Sequence, residues 1–206
     1  MAHDLLIRGG TIVDGSGAEP FVGDVAVKNG RISAVGAFKG EAVRMIDARG
    51  LLVTPGFVDI HTHYDGQATW ESRMQPSSWH GVTTVVMGNC GVGFAPCRSA
   101  DRPALVRLME GVEDIPYPVL IDGLPWNWET FPDYLDSLGE RRFDVEIGAQ
   151  LPHAPLRVFA MGARALARLP ADRHEIALMR ALACEAVEAG ALGFSTSRTI
   201  MHRAAD

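Results

Sequence analysis

The chain has 206 residues, 47% hydrophobic and 21% charged, a composition that can bury a sizeable core and excludes a disordered tail. A net charge of −6, a pI near 5.6 and no cluster of lysine and arginine argue against a nucleic-acid surface. No stretch approaches the roughly 18 consecutive apolar residues of a membrane span. The opening "MAHDLLIRGG" sets an acidic residue before a very short apolar run, unlike a secretory leader, so a cytoplasmic location is expected.

Residues 4–54 carry short β segments separated by turns: "LLIRGGTIVDGSG", "GDVAVKNGRISAVGAF" and "VRMIDARGLLVTPG". Asn29-Gly30 in "KNGR" tolerates the positive φ angles of a type I′ hairpin turn. No helical period is visible, and residues 1–54 read as a small β-sandwich lobe.

After Pro55 the pattern changes. In "PGFVDIHTHYDG", Pro55–Gly66, the residues Phe57, Val58 and Ile60 read as a short buried strand. At strand spacing His61 and His63 share a face and Thr62 points the other way. Two neutral imidazoles so placed can chelate one divalent ion, with Asp65 holding a ring from behind or touching substrate. Alone, the pair is weak evidence, and two solvated histidines at a strand end is the reading that wins for an arbitrary protein.

Further strands are expected at Thr83–Met87, Val145–Gln150 and Leu192–Ser195. "TTVVMGNCGVGFAP" places Cys90 among glycines at the end of the second. A thiolate there is a strong soft ligand, and an inert packed cysteine is the alternative. The three cysteines, Cys90, Cys97 and Cys184, do not form a disulfide framework at this length. Cys184 falls in an Ala-rich helical pattern, where a small core residue is expected.

A helix starts near Asp101, with Leu105, Leu108 and Met109 on one side. Another spans Asp172 to Ala189, capped by Asp172 and Glu175, with a stripe of Ile176, Met179, Ala183 and Val187 and a stop at Gly190. Between the two, Gly111–Thr130 has no clear period. It is either a lid or substrate wall, or a loop that packs Trp126 and Trp128 against outer helices. Alternating strands and helices imply a parallel sheet or barrel with helices outside. The residues after Thr54 are too few for the about 250 of a complete (β/α)₈ barrel, and the chain stops soon after a strand. A piece of a longer protein is the expectation.

Taken in succession, "HDLLIRGGTIVDGSG", "GDVAVKNGRISAVG", "IDARGLLVTPGFVDIHTHYD" and "WHGVTTVVMGNCGVGFAP" resemble the N-terminal part of the amidohydrolase superfamily, in its N-acyl-D-amino-acid deacylase branch. The resemblance implies an α/β protein: a small N-terminal β-sandwich lobe over residues 1–54, then the first half, about four β/α units, of a metal-dependent (β/α)₈ barrel over residues 55–206. It implies His61, His63 and Cys90 as ligands of one or two Zn²⁺ ions. Asp65, His153, Ser195, Ser197, Arg198 and His202 are candidate substrate contacts, Arg198 as a fork for a carboxylate. The catalytic aspartate and further histidine ligands are expected beyond residue 206.

The implied activity is zinc-dependent hydrolysis of small N-acyl amino acids to a carboxylate and a free D-amino acid, absent from the isolated 206 residues. No nucleic-acid or membrane partner is expected. Two other readings fit: a cyclic-amide hydrolase of the dihydropyrimidinase or dihydroorotase kind, and a non-catalytic half-barrel.

Overall fold

The computed structural model describes residues 2–113 and 115–197 as a mixed α/β fold. The candidates Arg198 and His202 lie outside the described residues. The chain divides into two compact units, Met1–Gly56 and Phe57–Asp206.

The first unit is one five-stranded sheet. Its strands are β1 (His3–Ile12), β2 (Phe21–Lys28), β3 (Arg31–Gly36), β4 (Ala42–Asp47) and β5 (Leu52–Val53), in the order β3-β2-β1-β4 with β5 also on β1. β1–β2 and β2–β3 are antiparallel, while β4 and β5 run parallel to β1. The β2–β3 turn has positive φ at both Asn29 (53°) and Gly30 (70°), the primed geometry that matches strand twist. Leu6, Ile12, Val25 and Ala26 are buried, whereas Ile32, Val35, Val43 and Met45 are exposed. The second layer that a sandwich requires is not among the described residues.

In the second unit, β6 (Phe57–Asp59), β7 (Val82–Met87) and β8 (Glu146–Ala149) form a parallel sheet in chain order. β9 (Leu151–Pro152) follows β8 directly and pairs in parallel with β10 (Phe194–Ser195). Backbone bonds from Leu192 N to Ala149 O and from Leu151 N to Gly193 O carry that pairing across Gln150. Four successive parallel segments therefore lie side by side, at the expected positions.

The strand holding Phe57, Val58 and Ile60 is not buried: all three are more than half exposed. Among the described residues β6 is an edge with one neighbour, which leaves these side chains largely open.

The helices are α1 (Gln67–Trp70), α2 (Arg102–Glu113), α3 (Tyr117–Gly123), α4 (Phe131–Gly139), α5 (His153–Met161), α6 (Ala163–Leu166) and α7 (Arg173–Glu188). The core of the unit joins Val85 and Met87 of β7 to Leu105 and Met109 of α2, Leu120 of α3, and Phe131 and Tyr134 of α4. α4 begins with a capping box in which Thr130 Oγ1 accepts from Asp133 N and the Asp133 carboxylate accepts from Thr130 N. α7 begins with the expected Asp172–Glu175 box.

Its packed face differs from the expected stripe: Met179, Leu182, Ala183 and Ala186 face the core, and Ile176 and Val187 are exposed. Cys184 is exposed as well, correcting its expected place in the core. An Ala-rich helix offers little contrast between faces, so its pattern leaves the rotation poorly determined.

The segment without clear period is largely ordered. α3 lies within it, too short to show a period. Trp128 is buried and donates from Nε1 to Phe94 O at 2.9 Å. Trp126 meets Phe94 edge-on, with ring centroids 6.0 Å apart, and the Arg102 guanidinium lies 5.1 Å from the Trp126 ring. The two tryptophans thus pack into the core of the unit. No helix among the described residues is long and apolar enough to cross a membrane.

Candidate metal centre

β6 ends at Asp59, and the chain continues extended enough for Thr62 N to donate to Val86 O. The Thr62 side chain turns inward and donates to the same carbonyl at 2.9 Å. His61 and His63 therefore project together on the opposite side, with ring centroids 5.5 Å apart. Asp59 Oδ1 accepts from His61 N, tying the first histidine back to its strand.

Cys90 approaches from β7. The strand ends at Met87, and Gly88 turns the chain with φ +77°. A Cβ at Gly88 would stand 2.0 Å from Gln150 O, so the close crossing of the second and third strand ends requires glycine there. Cys90 itself is left-handed, φ 56°, an uncommon conformation for a residue with a side chain. The result places Sγ 3.1 Å from His61 Nε2. One donor atom from each of His61, His63 and Cys90 lies within 4.8 Å of the others.

This donor set fits a zinc-like ion. Two imidazoles and a thiolate are what a borderline-soft divalent cation selects. Zn–N and Zn–S bonds at the tetrahedral angle give an N-to-S edge of about 3.6 Å, close to the spacing seen between His61 and Cys90. Burial, and then the nearby Asp65 charge, raises the Cys90 thiol pKa, so without a cation the sulfur holds its proton.

Asp65, two residues after His63, is buried. Burial pushes its carboxyl up to about 7, offset in part by the backbone N–H groups of Gly88 and Asp65. Its Oδ2 has no hydrogen-bond partner among the described residues, and Tyr134 holds its backbone carbonyl at 2.8 Å.

Asn89 and Gln150 carry part of the architecture and had no signal in the sequence. Asn89 is buried and donates from Nδ2 to Thr62 O and Val86 O, while its Oδ1 accepts from Gln150 Nε2 at 2.9 Å. One amide thus fastens three successive strand ends. Ser195 is buried rather than open to a substrate: its Oγ accepts from Gly91 N and donates to Gly88 O. Ser197 Oγ donates to Cys90 O at 2.7 Å. His153 opens α5, with Nδ1 2.9 Å from Thr196 Oγ1 and its ring against Phe194. Burial, then Arg157, lowers its pKa.

Beside His63 lies a cleft of about 320 Å³ lined by Thr62, His63, Tyr64, Gln67, Ser77, Val112 and Ile115. None of these side chains carries a formal charge apart from a histidine that can take one. A larger cavity, about 520 Å³, is lined by Leu135 to Ala149 and includes none of the three donors.

A parallel strand array whose strand ends converge on a His-x-His pair and a cysteine points to a metal-dependent hydrolase class. Residues 44–206 match the amidohydrolase family, and the chain belongs to it. It is 40% identical to an N-acyl-D-aspartate deacylase of Alcaligenes xylosoxydans xylosoxydans over 94% of its own length and 36% of the relative's. It is likewise 40% identical to a D-aminoacylase of that organism, over 94% of its length and 37% of the relative's.

A D-aminoacylase crystal structure superposes with a TM-score of 0.80 at 37% identity, covering 94% of this chain and 38% of that one. D-Aminoacylase has been described with a binuclear metal centre, activated by one metal and attenuated by the second. An N-acyl-D-glutamate deacylase from Bordetella bronchiseptica, complexed with zinc and a phosphonate mimic of the tetrahedral intermediate, superposes with a TM-score of 0.75 at 33% identity, over 95% and 38% of the two chains. The chain spans little more than a third of the length of these relatives.

Proposed function

We propose that the complete protein hydrolyses N-acyl-D-amino acids to a carboxylate and a free D-amino acid, with zinc held by His61, His63 and Cys90. The observation that carries this reading is the convergence of one sulfur and two imidazoles from neighbouring strand ends, with Sγ 3.1 Å from Nε2. When bound, the ion polarises the scissile carbonyl and makes water acidic enough to attack near neutral pH.

This chain's own residues do the holding. His61 and His63 supply neutral nitrogens, Cys90 gives up its proton on binding, and Asn89 keeps the strand ends in register. The names of the relatives support D-configured N-acyl amino acids as substrates. In this reading the cleft beside His63 is a candidate substrate wall, with Val112 and Ile115 as its apolar part and Tyr64, Gln67 and Ser77 as its polar part.

In the same reading, the sheet of residues 1–54 is the first part of a β-sandwich lobe and residues 55–206 supply the first four β/α units of a barrel. The proton-shuttling aspartate and further histidine ligands belong to the remainder. The 206 residues alone then bind metal weakly and turn over no substrate. In this reading Ser197, Arg198 and His202, which come after β10 in the sequence, are candidate substrate contacts, and so are His153 and Asp65.

The test is metal content and amino-acid release with the complete protein. Wild-type protein should release D-amino acids, not L-amino acids, from a panel of N-acyl substrates and lose activity on chelation. Cys90→Ala should cost about a hundredfold or more in kcat/KM, and metal content should fall with it. Absence of release from the D-panel, with turnover of cyclic amides instead, would reassign the protein to that reaction.

A further inference from the structure

Strand β10 finishes against the Cys90 turn. Ser195, 9% exposed, accepts the Gly91 N–H at 2.9 Å and donates to the Gly88 carbonyl. One hydroxyl therefore bridges the residues on both sides of Asn89-Cys90. Two positions later, Ser197 Oγ donates to the Cys90 carbonyl at 2.7 Å. The bridged turn has φ +77° at Gly88, +56° at Cys90 and +75° at Gly91, outside any sheet ladder. A left-handed residue with a side chain costs roughly 1–2 kcal/mol and persists only where its surroundings hold it. A return of Cys90 to an ordinary negative φ would redirect its Cα–Cβ bond and carry Sγ away from His61 Nε2.

We propose that Ser195 is a positioning residue for the metal centre: its hydroxyl clamps the turn in the left-handed form that aims Cys90 Sγ at His61 and His63. The hydroxyl is buried and its single proton is donated inside the protein, which suits a role in holding the turn better than one in touching substrate. The inference rests on the metal reading above and assigns to the fourth strand a share in building the centre. A serine that merely filled a buried niche would affect stability and leave the sulfur's geometry unchanged.

The test uses the complete protein loaded with Co²⁺, whose thiolate-to-metal absorption in the near ultraviolet reports the sulfur–metal bond. Wild-type protein should show that absorption and Cys90→Ala should lose it. Ser195→Ala should weaken and shift it, with a Kd for Co²⁺ raised about tenfold or more, and Ser195→Thr, which keeps the hydroxyl, should restore most of both.

A wild-type protein without the absorption, or one in which Cys90→Ala leaves it intact, overturns the metal reading and this inference with it. Absorption that depends on Cys90 but is unchanged, in band and in Kd, by Ser195→Ala overturns this inference alone. If Ser195→Ala fails to fold by circular dichroism, Ser197→Ala decides. It removes one hydrogen bond to the Cys90 carbonyl near the surface, so Kd should rise by about threefold, and an unchanged Kd and band refute the clamp.

Discussion

Adding a single methyl group at Gly88 asks how tightly the strand ends around Cys90 are crossed. The new carbon would fall 2.0 Å from Gln150 O, at a φ of +77° that side chains disfavour. Backbone on both sides leaves nothing flexible to yield. Gly88→Ala should destabilise the protein by at least about 2 kcal/mol and lower its metal content. Gly17→Ala, at a similar φ of +83° with nothing within 4 Å, should cost only about 1 kcal/mol. Urea unfolding at equal m-value separates the two, and equal losses would show that steric crossing at Gly88 is not what matters.

At this scale the sequence disclosed the donors more readily than their supports. His61, His63 and Cys90 are chemically conspicuous types at strand ends, and they do converge. Asn89 and Gln150 lie 61 positions apart, and their pairing depends on the parallel register of two strands, which no local pattern contains. Ser195 was visible as a polar residue at a strand end, but its direction, inward to the turn, follows only from the packing of the fourth strand on the second.

Among the elements, α4 offers a clean measurement because its cap is local. The Thr130 backbone N–H, then the Thr130 hydroxyl, holds the Asp133 carboxyl below its usual 3.8. A lowered value in the folded state means that the contribution to stability is complete above pH 3.8 and disappears as pH falls through the folded value. Asp133→Ala should therefore cost about 0.5–1 kcal/mol near neutrality, after allowance for solvent screening at so exposed a site. The gap from wild type should be constant between pH 5 and 7 and close below pH 3.8, as followed by chemical denaturation. A gap that persists in acid would mean that the carboxylate is not the source.

The capping pair of α7 could be read directly from Asp172 and Glu175, since both partners sit within one turn. α3 could not, because fewer than two turns leave no period to detect. The rotation of α7 was also hidden: alanines at 177, 181, 183, 186 and 189 give similar local signals on every side, and tertiary contact selects the face containing Met179, Leu182 and Ala186.

For the whole molecule, the unpaired edges govern behaviour. β6 has one neighbour, and β10 is paired only with β9 among the described residues. Phe57, Val58, Ile60 and Phe194 are exposed beside these edges. Open parallel edges with apolar flanks recruit other chains. The isolated 206 residues should elute from gel filtration as large or polydisperse species and release no amino acid, whereas the complete protein should be well dispersed. A monodisperse, active 206-residue chain would overturn the proposal that further catalytic groups lie beyond residue 206. The sequence changes near Pro55 from short β segments separated by turns to alternating strands and helices, and the structure divides into compact units at Gly56. The exposure of these sheet faces could not be read locally, since burial depends on how distant segments pack.

The hydrogen bonds that brace Cys90 come from residues 104 and 107 positions apart along the chain. During synthesis, then, the thiol emerges from the ribosome long before its bracing does. Until the segment around Ser195 has been translated and has docked, the turn that carries Cys90 lacks both of the hydroxyls that fasten it.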